Sequence, residues 1–261
     1  MNQSPVTRGK EEFVSGHSKW STIKRKKGRA DAERGRIFSR LIKEITVAAR
    51  QGGGEEGNNP RLRTAIQAAK AANMPQANIE RAIQRGTGEL PGVHYEEVLY
   101  EGYGPSGVAV MAEALTDNRN RTISEIRHLF EKNGGHLAST GAVTWMFDLK
   151  GFIAVDRDHV AEDDLMLIAM DAGAEDLQVE EDAYELTTAV EDFEAVKKAL
   201  DEHDIPYSQA ELVRIPQSTV KVEGKTAEQV LRLMETLEEH DDIQKVYANF
   251  DMDDATMKAL T

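Results

Sequence analysis

The chain has 261 residues, 40% of them hydrophobic, no cysteine, and a formal net charge of −14. That length allows one to three domains with real cores, and the missing cysteine excludes disulfides, thiolate zinc sites and cysteine nucleophiles. The longest apolar runs are too short to span a bilayer, and the first residues, MNQSPVTRGKEEFV, lack the apolar stretch of a secretory signal, so the expectation is a cytoplasmic protein.

Residues 1–13 read as a non-native or disordered extension. Gly9, Lys10, Glu11 and Glu12 back-translate to codons able to spell a ribosome-binding sequence, and Val14 suits an alternative start codon. From there the charge divides unevenly. Residues 14–90 carry +9, whereas residues 91–261 carry −23. Such a split expects a polyanion-binding part joined to an acidic, solubilising or partner-binding part. The basic character peaks in His17, Ser18, Lys19, Trp20, Lys24, Arg25, Lys26, Lys27 and Arg29, with Arg34, Arg36 and Arg40 beyond. Clustered Lys and Arg bind phosphate backbones with release of counterions. Trp20 has two readings: a stacking platform for an unpaired base, or an anchor in the core of the following bundle.

Residues 14–90 read as a helical domain. Asp31 caps a helix whose apolar positions are Ile37, Phe38, Leu41, Ile42, Ile45, Ala48 and Ala49, and Gly52–Gly54 end it. Asn59 and Pro60 form a cap followed by proline at the first helical position. Pro75 opens a third helix, with Gly86 as its expected stop. From Tyr95 the pattern changes to strands at 97–103 and 108–115, a helix at 122–131 and a strand at 142–147. The stretch Gly102-Tyr103-Gly104-Pro105-Ser106-Gly107 matches a dinucleotide fingerprint, but a second strand follows it, so a hairpin loop is expected.

Residues 150–215 then give a complete βαββαβ alternation, which suits a ferredoxin-like domain. Residues 216–252 add one more βαβ piece, too small to stand alone. Joined to 91–149, they make a second α+β domain that the ferredoxin-like domain interrupts. The histidines are dispersed without metal-ligand spacing, the acidic stretch at 156–164 lacks a calcium-loop pattern, and no nucleophile or phosphate-loop motif occurs.

Three stretches carry a resemblance. They are GHSKWSTIKRKKGRADAERGRIFSRLIKEITVAARQGG, YEGYGPSGVAVMAEALTDNRNRT and FEKNGGHLASTGAVTWMF, and the likeness continues over Ser15–Asp251. The chain resembles the YebC-type family of bacterial transcriptional regulators and the related mitochondrial activator of cytochrome oxidase subunit translation. The resemblance implies an α+β multidomain fold: an N-terminal three-helix bundle followed by two α+β domains, one ferredoxin-like and inserted into the other. It implies a nucleic-acid-binding protein with Gly16–Arg29 facing the nucleic acid and implies no enzyme activity; from the residues themselves no cofactor or metal is expected. Two partners stay open: ribosomal RNA, with ribosomal proteins nearby, or duplex DNA. No membrane contact is expected, and a monomer is favoured.

Overall fold

A computed structural model describes residues 32–180, 182–253 and 256. The expectations placed on residues 1–13, on the basic segment 17–29 and on the Asp31 cap lie outside the described residues. The chain forms two compact units, one comprising residues 145–217 and the other the chain on either side of them.

Among the described residues the larger unit starts with three helices: α1 (Ala32–Gly52), α2 (Pro60–Ala71) and α3 (Gln76–Thr87). Asn59 joins the first two. Its side-chain oxygen accepts the Leu62 N–H at 3.0 Å, capping α2. Its amide donates to the carbonyls of Ala48 at 2.8 Å and Gly53 at 2.9 Å, closing α1. Ile45, Leu62, Ile66 and Ile79 fill the bundle core. Gly86 is not the stop of α3. The helix runs one residue further and closes at Gly88, which takes the left-handed conformation at φ 88°. Gly86 instead lets two helices touch: a Cβ there would lie 2.4 Å from the Thr46 carbonyl oxygen and 2.7 Å from the Ala49 Cβ on α1.

The α+β part of this unit is a sheet of order β3-β1-β2-β9. Its strands are β1 (Glu96–Tyr103), β2 (Ala109–Thr116), β3 (His136–Leu137) and, late in the chain, β9 (Ile243–Ala248), and all neighbours are antiparallel. The glycine-rich stretch is the β1–β2 hairpin loop, with Tyr103 opposite Ala109. Helices α4 (Arg119–Lys132) and α7 (Gly224–Glu238) bury Ile126, Phe130, Leu233 and Leu237 against Val110 and Ala112 of β2. Within the stretch after residue 217, β8 (Val220–Lys221) pairs in parallel with β10 (Phe250–Asp251).

The second unit, inserted between Thr144 and Ser218, holds β4 (Phe147–Asp156), α5 (Glu162–Asp171), β5 (Ala174–Val179), β6 (Ala183–Thr188), α6 (Phe193–Glu202) and β7 (Gln209–Pro216). The sheet order is β5-β6-β4-β7 with every neighbouring pair antiparallel, which is the ferredoxin-like arrangement. Ile153, Leu165, Leu186 and Val196 form its core.

One strand was misplaced by sequence pattern. Of residues 142–147 only Phe147 is strand: Thr144–Met146 is a short 3-10 turn, and β4 starts only at Phe147. The amides of Val143 and Thr144 are taken by a side chain, the Glu101 carboxylate, so no strand can pair there. Among the described residues no helix is long and apolar enough to cross a membrane.

Candidate nucleic-acid interface

Of the candidate contact residues, His17, Ser18, Lys19, Trp20, Lys24, Arg25, Lys26, Lys27 and Arg29 lie outside the described residues. Arg36 and Arg40 lie on α1, one helical turn apart, and both meet the C-terminal end of α7. Arg36 pairs with Glu239 at 3.5 Å, and the Arg40 guanidinium donates to the Glu238 carbonyl oxygen. A helix C-terminus carries unsatisfied carbonyls and the negative end of the helix dipole, so it attracts cations. The two arginines are thereby drawn onto the α+β domain of their own unit.

One turn further on, Lys43 reaches a buried carboxylate. Its Nζ lies 2.7 Å from Asp242 Oδ1, donates to the Asp241 carbonyl at 2.9 Å, and sits 5.6 Å from the centre of the Tyr95 ring. The second oxygen of Asp242 accepts from Arg121 at 2.8 Å and from the Thr122 hydroxyl at 2.7 Å. Behind Thr122, the Thr116 hydroxyl lies 2.7 Å away and accepts the Asn118 N–H at 2.9 Å, which orients the chain of donors toward Asp242. Burial alone would raise the Asp242 carboxyl. The hydrogen bonds from Lys43, Thr122 and Arg121 outweigh it and hold the group well below the ordinary carboxylate range. A cleft of 820 Å³ opens beside this cluster, lined among others by Ser39, Tyr95, Asp117 and His240. It mixes both signs of charge and offers a polyanion no continuous positive wall.

Arg61 is also engaged within the unit. Its guanidinium bridges Glu44 of α1 at 2.6 Å and Glu97 of β1 at 2.6 Å. On the outer surface of the bundle, Lys70 of α2 and Arg81 and Arg85 of α3 are exposed. These three are the cations that the described bundle turns to solvent beyond Arg34, which stands 5.6 Å from the centre of the Phe38 ring.

A second buried carboxylate organises a loop. Glu101 on β1 is 2% exposed and accepts three backbone N–H groups: Gly141 at 2.6 Å, Val143 at 2.8 Å and Thr144 at 2.9 Å. Burial pushes this carboxyl up, but the three amides and the Thr144 hydroxyl together bring its pKa below the ordinary value. The Tyr103 hydroxyl donates to the Ala142 carbonyl at 3.2 Å and braces the same loop. Neither Asp242 nor Glu101 was selected by sequence reasoning. For Glu101 the signal was a charged residue beside Leu99, Tyr100 and Tyr103 in a strand, which a solvent-facing strand residue imitates; Asp242, at the end of the polar run Glu238–Asp242, carries no such signal.

Two family models match. The description "TACO1/YebC protein N-terminal domain" covers residues 18–89, and "TACO1/YebC second and third domain" covers residues 95–250. The chain belongs to the TACO1/YebC family. A relative from Pelotomaculum thermopropionicum is 58% identical over 243 residues, 92% of this chain and 100% of its own length. One from Syntrophobacter fumaroxidans is 58% identical over 248 residues, 95% of this chain and 100% of its own. Both bear the name "Probable transcriptional regulatory protein". Among solved structures, a conserved hypothetical protein from Aquifex aeolicus superposes with a TM-score of 0.80 at 49% identity, covering 87% of this chain and 93% of that one. The two family models cover the basic segment from Ser18, the Lys43–Asp242 cluster and the Glu101 loop.

Proposed function

We propose that this family member is a non-enzymatic, nucleic-acid-binding regulator of gene expression. We further propose that it acts at the ribosome, contacting ribosomal RNA through Gly16–Arg29 and relieving stalls in elongation. The observation that carries this reading is the charge division, +9 over residues 14–90 against −23 over residues 91–261. An RNA presents phosphates and unstacked bases together, which suits clustered Lys and Arg next to a tryptophan. The acidic remainder is repelled by bulk RNA and confines contact to one face. Helix α3, by contrast, turns only Arg81 and Arg85 to solvent as long cations, with Gln84 half-buried between them, which is a thin base-reading surface for a major groove.

The names of the relatives favour a second reading, sequence-specific binding of duplex DNA. The short turn Ala72–Pro75 between α2 and α3 fits it, because helix pairs joined this way can enter a major groove. Competition between structured ribosomal RNA and duplex DNA across a salt series separates the two. The expected result is preferential RNA binding with a steep salt dependence. Replacing Lys24, Arg25, Lys26 and Lys27 with alanine should lower the slope of log K against log salt by about 3, at roughly 0.7 per phosphate contact on single strands. Tight, sequence-dependent duplex binding that survives excess RNA would overturn the ribosomal reading.

A further inference from the structure

Helix α5 of the inserted domain buries one side and leaves the other open. Leu165 and Ala169 are fully buried in the domain core. On the solvent side Asp163, Met166, Leu167 and Met170 follow one another at i, i+3, i+4 and i+7, which makes one continuous stripe. Leu167 is 65% exposed, Met166 40% and Met170 36%. A single exposed leucine is ordinary, but three large apolar side chains on adjacent turns form a patch.

Within α5 every charged residue is acidic, although Arg157 and His159 precede the helix as exposed residues. Glu162, Asp163 and Asp164 occupy the first turn of α5, and Asp171 closes the last, with no Lys or Arg anywhere in the helix. Acids in a first turn complement the helix dipole, so those three have a structural explanation. Asp171 has none, because a carboxylate at a helix C-terminus opposes the dipole. On β5, which packs against α5, Asp176 is exposed as well. On the neighbouring helix α6, Lys197 is paired with Glu194 at 3.2 Å and Lys198 with Glu202 at 3.5 Å.

We infer that this stripe is a docking face for a cationic amphipathic helix of a partner protein. Apolar side chains of the incoming helix would seat among Met166, Leu167 and Met170, and its Lys and Arg would meet Asp163, Asp164 and Asp171. Methionine suits such a role, since its unbranched thioether adapts to different partner shapes. The acidic rim repels nucleic acid. It also disfavours a second copy of this chain, whose own rim would be brought against it.

The test titrates the full chain with a fluorescently labelled 18-residue Leu/Lys peptide of helical periodicity, read by anisotropy. A scrambled peptide of the same composition provides the comparison. The expected result is binding at least tenfold tighter to the periodic peptide. The M166Q/L167Q/M170Q variant should lose at least tenfold, and D163N/D164N/D171N should lose a similar factor together with most of the salt dependence. Circular dichroism identical to the parent verifies that both surface variants fold. Equal affinity for the two peptides, or for parent and variants, would assign the attraction to bulk negative charge and overturn the inference. So would a concentration-dependent dimer in sedimentation equilibrium that the glutamine variant abolishes.

Discussion

Asp242 and Glu101 are buried carboxylates of the same α+β domain, each accepting several hydrogen bonds, yet their partners differ in kind. Asp242 is held by side chains: a lysine from the bundle, and an arginine and a threonine from α4. Glu101 is held chiefly by backbone amides of one loop, with the Thr144 hydroxyl beside them, and has no cation among the groups that hold it. The first arrangement joins two parts of a unit and spends cations to do so. The second fixes a local conformation and leaves the charge balance of the surface unchanged. The contrast bears on function, because the basic character of residues 14–90 is not all available to a polyanion. Arg36, Lys43 and Arg61 already face carboxylates, and Arg40 a helix terminus.

Replacing Asp242 with asparagine should give the largest effect. It leaves the nearly buried Lys43 ammonium without its counter-charge, a change worth about 3–5 kcal/mol of stability when a buried pair loses one partner. Urea denaturation measures it, and the K43M/D242N double variant should recover a good part of the loss. Full additivity of the two single changes would show that the pair does not act as a latch.

Glu101→Gln should cost less, about 1–3 kcal/mol, since the amide keeps one acceptor but turns an N–H₂ toward backbone donors. Hydrogen exchange should speed up at Gly141, Val143 and Thr144, and stay unchanged in the bundle. Acid sharpens the comparison. Both carboxyls have folded-state pKa values below their unfolded ones, so their stabilisation is complete above about pH 5 and is lost as pH falls through the folded values. Below pH 4 the stability gap between the parent protein and either variant should therefore narrow. A gap that widens on acidification would contradict the depressed values.

The smallest effect belongs to Arg36→Ala. Its pair with Glu239 is partly solvated, so about 0.5 kcal/mol or less is expected in thermal denaturation. Its influence on nucleic-acid affinity should be well below that of changes at Lys24–Lys27. An equal loss from Arg36→Ala would mean that α1 itself lies on the nucleic acid.

Most of the fold was legible because it follows from local pattern. The apolar spacing of α1, the Asn59-Pro60 cap and the βαββαβ alternation each depend on neighbours in sequence. The errors arose where distant groups decide. Residues 142–147 alternate like a strand, but the amides of Val143 and Thr144 go to Glu101, some 40 positions earlier. Gly86 looks like a helix stop, but its missing side chain serves the packing of α3 on α1. The Lys43–Asp242 pair spans 199 positions, and no periodicity signals it. Charge density in the sequence likewise marks a basic region without showing which cations are spent internally.

The most direct measurement is sucrose-gradient sedimentation of a cell lysate at low salt, with and without ribonuclease, following the protein by immunoblot. The expected result is co-migration with ribosomal particles, lost both on ribonuclease treatment and in the variant with alanine at Lys24, Arg25, Lys26 and Lys27, and retained by Arg36→Ala. Absence of the parent protein from every ribosomal fraction would contradict the proposed role and turn attention to duplex DNA at α2 and α3.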